Sequence, residues 1–265
     1  MMPGRRRMLA WTLAVAALAT VAIGVHAQQR SARKLYVQSG DLAEIANVPY
    51  DGRFTFARIR FTPTCCEDGR RWRVDRKWDH DTPRAEIHFM KLLDALTTLE
   101  PFMDGPDIFA FDDPELMKYP VGYVSEPGFW NPTEREAQGM RDYLAKGGFL
   151  IFDDFIGPHW YNFEQQMRRV LPTARLVKLD VSHPIFDSFF HITSIEMMDP
   201  YNRAFSEFYG VFEDNDPSKR LILVANYNND IGDYWEWSDE GFIPIKMSNE
   251  AYKLGVNYVI YAMTH

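Results

Sequence analysis

Two adjacent carboxylates, Asp153 and Asp154, directly follow the apolar run Phe149-Leu150-Ile151-Phe152. Such a run reads as a strand buried on both faces, as in a parallel sheet. Open α/β sheets bind ligands at the carboxyl ends of their strands, so the pair stands where sites form. Adjacent acids there can hold a metal, divide general acid and base roles, or hydrogen-bond a polyol. A general acid needs a raised pKa, which a second carboxylate close by supplies. The plainer reading is that one acid caps the following loop and the other is solvated. Successive side chains on a strand point in different directions, so one of the two is expected to face the cleft while the other braces the backbone.

Other residues with usable chemistry are scattered along the chain. His159 and His183 are the histidines best placed to approach the central strand end. Each adjoins a proline, which also suits a packed turn residue. Asp230, Asp233, Tyr234, Trp235, Glu236 and Trp237 combine carboxylates with flat rings. Rings stack on the apolar faces of a sugar while carboxylates bond its hydroxyls. The alternative is a hairpin that packs its tryptophans on the core. Asp79, His80 and Asp81 are metal-ligand types, but three consecutive residues do not easily face one ion, and a turn before Pro83 accounts for them. The two cysteines, Cys65 and Cys66, are adjacent. They fit no zinc pattern and leave open a vicinal disulfide, free thiols or pairing between chains.

The elements that must position these residues are legible. Residues 121–125 read as a strand. Asn131-Pro132-Thr133-Glu134 has the marks of a helix start, and Ala137, Met140 and Leu144 share one helical face. Gly147 stands at a left-handed helix stop. Strand, helix, glycine and strand make a βαβ unit with parallel strands and a right-handed crossover. Strands are also expected at residues 54–61, 107–111, 175–179 and 220–227, with a strand or hairpin arm at 208–212. Helices are expected from Pro83 to about Leu96, over 162–171, and from a Ser248 cap to about Met263. Residues 62–79 form a long loop of the kind that carries function. This alternation predicts a doubly wound α/β domain with a mostly parallel sheet.

Composition narrows the partners. Arg5-Arg6-Arg7, the uncharged run 8–25 and the small-x-small site Val25-His26-Ala27 match a secretory signal peptide, with an uncleaved anchor as the alternative. Residues 1–27 hold three arginines and no acid, so the remainder carries −8 − 3 = −11. An acidic chain without a basic tract argues against nucleic acid. Residues 28–53 read as a polar lead-in, and residues 54–265 as a single domain. Periplasmic or secreted location follows from the signal, with membrane attachment only if it is retained.

Several motifs together carry a family resemblance. They are Trp78-Asp79-His80-Asp81-Thr82-Pro83, Tyr119-Pro120, Gly147-Gly148-Phe149-Leu150-Ile151-Phe152-Asp153-Asp154, His183-Pro184, Asn229-Asp230-Ile231-Gly232-Asp233-Tyr234-Trp235-Glu236 and Leu254-Gly255-Val256-Asn257. Over residues 54–263 the chain resembles the bacterial domain-of-unknown-function family 4159. The resemblance implies a class I glutamine amidotransferase-like, flavodoxin-like sandwich and no settled activity. Those amidotransferases carry a cysteine at a strand-to-helix elbow. Here the exit Phe152-Asp153-Asp154-Phe155-Ile156-Gly157 has neither cysteine nor serine, so glutaminase chemistry is not expected.

The resulting expectation is an exported α/β domain with a ligand site at Asp153, Asp154, His159, His183, Asp230, Trp235 and Glu236. It would bind a glycan or cell-envelope component as an accessory module. The alternatives are a hydrolase using the acid pair (catalytic candidates Asp153, Asp154 and His183), with or without a divalent metal, and a structural domain that binds a partner in an envelope complex. The sequence requires no cofactor and does not fix the oligomeric state.

Overall fold

The computed structural model describes residues 47–65, 75–197, 204–241 and 243–265. The signal segment, its cleavage site, most of the lead-in and Cys66 lie outside the described residues. Cys65 is disulfide-bonded.

Short apolar runs become seven strands of one sheet. They are β1 (Ala57–Ile59), β2 (Asp107–Phe109), β3 (Val121–Ser125), β4 (Phe149–Phe155), β5 (Val177–Lys178), β6 (Glu207–Phe212) and β7 (Leu221–Tyr227). Their order is β2-β1-β3-β4-β7-β6-β5. The first five in that order are mutually parallel, while β6 and β5 add on antiparallel. The chain leaves β1 towards β2 on one side and returns to β3 on the other. The carboxyl ends of β1 and β3 therefore open a crevice of the kind that binds ligands.

Among the described residues five helices cover both faces: α1 (Arg84–Leu96), α2 (Glu134–Ala145), α3 (His159–Val170), α4 (Ile231–Glu236) and α5 (Ile245–Thr264). Helices α1, α4 and α5 pack on the face that carries Tyr123, Phe149 and Ile151. Helices α2 and α3 pack on the face that carries Val124, Leu150 and Phe152. Alternate residues of β3 and β4 feed opposite cores, so residues 121–124 and 149–152 are apolar. The outer strand β2 is not left bare. Asn47 at the end of the lead-in donates Nδ2 to Ile108 O (2.8 Å) and accepts from Ile108 N–H (2.7 Å), which covers an edge that would otherwise pair with another chain.

The β3–α2–β4 unit forms with parallel strands, Val121 facing Phe149 and Ser125 facing Asp153. Its helix begins two residues later than the Asn131-Pro132 signal suggests. Thr133 is the N-cap and closes a capping box with Glu136, so Pro132 precedes the helix instead of opening it. Gly147, at φ +105°, ends the turn after α2. Two expectations are corrected. Residues 231–236 form the short helix α4 capped by Asp230, not a hairpin. Ser248 lies buried inside α5, which starts earlier, after Pro244.

Among the described residues no helix is long and apolar enough to cross a membrane.

Candidate acidic site at the strand ends

The loops after β1, β3, β4 and β7 bring their acids to one place. Glu126 follows β3 with φ +46°, and Asp154 lies near the end of β4 with φ +60°. The β4–β7 register shifts between Phe152 and Phe155, so a bulge coincides with Asp154. A bulge and a left-handed residue re-aim a side chain, and aspartate tolerates that conformation better than most residues. Asp153 and Asp154 consequently separate. Asp153 turns under α4, and Asp154 turns towards Glu126, Asp81 and Asp230.

Asp153 is fully buried. Its Oδ2 accepts from the Tyr123 hydroxyl (2.6 Å) and from Gly232 N–H (3.1 Å), and its Oδ1 accepts from Asn226 Nδ2 (2.8 Å). Asn226 Oδ1 in turn accepts from the Tyr258 hydroxyl of α5 (2.8 Å). This carboxyl ties β3, β7, α4 and α5 to the tip of β4. Burial raises it to a pKa of about 6, while the bonds from Tyr123, Asn226 and Gly232 pull the other way.

Asp154 has one weak partner, the Ser125 hydroxyl at 3.4 Å. It belongs to two three-residue groups whose ligand atoms all lie within 4.8 Å of one another: His80, Glu126 and Asp154, and Asp81, Asp154 and Asp230. A third group, Asp81, Asp233 and Glu236, shares Asp81. The three groups thus form a chain joined at Asp154 and Asp81. Neighbouring His80 and Asp81 serve different groups because Asp81 is itself left-handed, at φ +62°. No one group holds both residues.

The loop that supplies them is anchored from below. Arg58 of β1, buried, donates Nη1 to the carbonyls of Trp78 and His80 (2.9 Å each). Its Nε donates to Glu86 of α1 at 2.5 Å, and its guanidinium lies over the Tyr123 ring at 4.9 Å. A buried Arg–Glu pair in which the arginine also meets backbone carbonyls fixes geometry more than it adds stability.

Acids dominate the electrostatics, with Arg58 opposing the rise at Asp81 and His80 opposing it at Asp154. Asp154 is pushed well above the usual carboxylate range, first by burial and then by the charges of Glu126 and Asp153. Asp81 and Asp230 are raised well above it too, by burial and then by Asp154. Glu236 is raised by burial and by Asp233. Among the described residues no lysine, arginine or histidine forms an ion pair with Asp81, Asp154, Asp230 or Glu236. His80, the cation that acts on Asp154, is already engaged. Its Nδ1 meets Glu126 Oε1 at 2.5 Å and its Nε2 meets Asp75 Oδ1 at 3.0 Å. The bond to Glu126 raises it to about 9 against the opposing effect of burial, so at neutral pH it is an imidazolium with no lone pair for a metal. With His80 held by Glu126 and Asp75, the all-oxygen group around Asp154 is Asp81, Asp154 and Asp230, which suits Ca²⁺, Mg²⁺ or Mn²⁺ better than zinc or copper.

The other residues singled out by sequence fall in three places. His159 stands at the rim, its ring edge-on to Phe129 at 4.7 Å, and burial lowers its pKa while Glu126 opposes. His183 is remote. Its ring neighbours Phe212 and Tyr261, and the Tyr261 hydroxyl bonds to the first residue of β7, at the opposite end of the sheet from Asp154. Its Nδ1 accepts from Ile185 N–H as a turn cap. The structure thus removes His183 from the site that sequence placed it in. Trp235 is also withdrawn, buried against Phe89 with ring centroids 4.5 Å apart, so it offers no face to a sugar. Asp230 and Glu236 do join the cluster, through Asp154 and Asp81.

Glu126, Arg58, Tyr123 and Asn226 escaped the sequence reading. Glu126 was within reach, because the strand-end rule that selected Asp154 applies equally to the residue after Ser125. No comparable signal marks Arg58, whose role depends on contacts made across the fold.

A fold and a site of this kind define an α/β domain with an acidic cluster at its strand ends. The family model described as "Domain of unknown function (DUF4159)" matches residues 55–263, and the chain belongs to that family. No curated protein matches the chain.

Proposed function

We propose that this domain binds one divalent, oxygen-preferring cation through Asp81, Asp154 and Asp230 and uses it to hydrolyse an oxygen-rich ligand. One observation carries the reading. Three half-buried carboxylates lie within 4.8 Å of one another, and among the described residues no cationic side chain forms an ion pair with any of them. Like charges at that range are costly, and they are relieved either by protons or by a cation. Three carboxylates leave open positions on a hexacoordinate ion for water and ligand. A water on the cation loses its proton to an adjacent carboxylate and attacks the electrophilic centre of the bond. The leaving oxygen then takes a proton back from that carboxyl. His80, fixed as an imidazolium beside Asp154, would offset charge developing in the cleft.

This reading prefers the hydrolase to a sugar-stacking accessory module, because Trp235 is sequestered in the core. An exported, envelope-facing setting remains part of the proposal through the N-terminal segment. Thermal melting in metal-free buffer and with Ca²⁺, Mg²⁺ or Mn²⁺ tests it. At 100 times Kd a bound cation stabilises by about 2.7 kcal/mol. Stabilisation is expected in wild type and not in Asp154→Asn, and the same change should abolish turnover of chromogenic esters or glycosides. No shift with any of the three ions would refute the reading, and a shift without turnover would leave a cation-dependent binding module.

A further inference from the structure

Trp235 is withdrawn into the core, but two other rings stand free at the same end of the sheet. Tyr161 is 75% exposed and Phe205 57% exposed, and among the described residues neither ring packs on another. We infer that these rings form a subsite for a neutral glycan, and that this glycan is the oxygen-rich ligand of the acidic site. The ring subsite stands on its own observations, while the glycan's part as substrate rests on the function proposed above.

Topology puts both rings beside the acids. Tyr161 lies in the first turn of α3, which follows the end of β4 where Asp154 sits. Phe205 precedes β6, and β6 runs antiparallel to β7, so Phe205 lies at the carboxyl end of β7, just before Asp230. Phe155 and Asn229 bridge these two strand ends, and Asp154 and Asp230 adjoin the bridge in the chain. Asn228, on the other side of Asn229, joins the segments that carry the rings. Its Oδ1 accepts from Gly157 N–H (3.0 Å), and its Nδ2 donates to Phe205 O (3.4 Å). The Tyr227 hydroxyl donates to Gly157 O (3.0 Å), and Tyr161 is close enough for its charge to act on Tyr227. Beside them Trp160 packs on Tyr209 and Tyr227, with centroids 4.5 and 4.9 Å apart, which gives the subsite a packed base. Phe205 also lines a cavity of about 540 Å³ together with Thr193, Ser194 and Ser206. That volume accommodates a further sugar unit, and the three hydroxyls offer it partners.

The setting selects the ligand. Single exposed rings are ordinary on a protein surface, but two rings clamped by one side chain beside clustered acids are a directed arrangement. A sugar has an apolar C–H face for Tyr161 and Phe205 and a rim of hydroxyls for the carboxylates, so it satisfies both surfaces at once. An apolar protein face or a lipid chain satisfies only the rings. An anionic sugar is opposed by Asp81, Asp154 and Asp230, whose ligand atoms lie within 4.8 Å of one another. A neutral β-linked chain with equatorial substituents presents the widest apolar faces and carries no charge.

Isothermal titration of the full chain with cellohexaose, chitohexaose and hexameric galacturonate, in metal-free buffer and with Mn²⁺, tests this. Wild type is expected to bind at least one of the two neutral chains in metal-free buffer, and not the galacturonate. Tyr161→Ala and Phe205→Ala should each weaken that binding about tenfold. Their melting temperatures should equal that of wild type, because exposed side chains contribute little to stability. No binding of either neutral chain overturns the inference, and the Mn²⁺ melting shift in the same samples shows whether the cation site survives it. Binding undiminished in both variants overturns the ring subsite. Galacturonate bound in metal-free buffer as tightly as the neutral chains overturns the choice of a neutral glycan. Neutral binding that both variants weaken, without any Mn²⁺ shift, supports the subsite and removes the cation-dependent function.

Discussion

Burial and hydrogen bonding pull the Asp153 carboxyl in opposite directions, and a pH series on one variant measures which of them wins. The side chain is fully buried, which favours the neutral acid, while Tyr123, Asn226 and Gly232 all donate to it, which favours the anion. The structure places the balance with burial, at a pKa of about 6 against an ordinary 3.8. A group whose folded pKa is raised binds more protons folded than unfolded. Its contribution is therefore intact below the unfolded value and is lost as pH rises through the folded one. The shift of 6 − 3.8 = 2.2 corresponds to about 3 kcal/mol lost by neutral pH. Asparagine imitates the neutral acid in size and cannot ionise. The stability of Asp153→Asn relative to wild type should then climb by roughly 2–3 kcal/mol between pH 4 and pH 7. Urea unfolding of both proteins at half-unit intervals gives the curve, and the difference cancels the titrating groups that do not feel the Asp153 charge; Asp154 and Asp230, which do, shift with it. A relative stability that falls across this window would mean that the three donors outweigh burial. A constant offset would mean that Asp153 does not change its affinity for protons on folding, and either result refutes the reasoning.

Four further outcomes follow from the same geometry. Asp154→Asn keeps a residue that tolerates φ +60° and removes one charge from an uncompensated group, so metal-free stability should hold or rise, by a melting curve, where most substitutions lower it. Gly232→Ala would put a Cβ 2.5 Å from Asp81 Oδ2 and 2.9 Å from the Tyr123 hydroxyl. It should cost about 1–3 kcal/mol in urea and weaken Mn²⁺ binding at least tenfold, as calorimetry would show. Arg58→Met leaves Glu86 buried without its counter-charge and should cost about 3–5 kcal/mol in the same unfolding assay. Mn²⁺ affinity should fall as pH drops from 8 to 5, because protons compete for carboxyls whose pKa values are raised; affinity that is flat or rises on acidification contradicts the acidic site.

The sheet was legible because its signals are local. An apolar run such as residues 149–152 cannot lie anywhere but between two layers, and Thr133 with Glu136 marks a helix start within one turn. The misread segment, residues 231–236, has the same cause in reverse. Its aromatic and acidic composition suits a hairpin or a helix, and what selects the helix is Asp230 accepting from Asp233 N–H and Phe89 receiving the Trp235 ring. The first of these is local and readable as an N-cap. The second joins residues far apart in the chain.

The site divides along the same line. The position of Asp154 follows from the strand-end rule alone, and so does that of Glu126 once the rule is applied to β3. Which of Asp153 and Asp154 faces the cleft does not follow from any rule of alternation. The β4–β7 register slips beside them, and the left-handed backbone at Asp154 swings one carboxylate out while the other stays under α4. His80 and Asp81 pose the same problem, solved by the same device, a left-handed acid at Asp81. In both places two consecutive polar residues divide into a structural partner and a cleft-facing one. His80 is closed off by Glu126 and Asp75, as Asp153 is by Tyr123, Asn226 and Gly232. The residues left without strong partners, Asp81 and Asp154, are the two that link the three acidic groups. A fold that satisfies one member of each pair so completely, and leaves the other facing like charges, concentrates its unmet electrostatic demand at one point. That point, where Asp81 and Asp154 meet Asp230, is where a cation would relieve the most repulsion for a single ion bound.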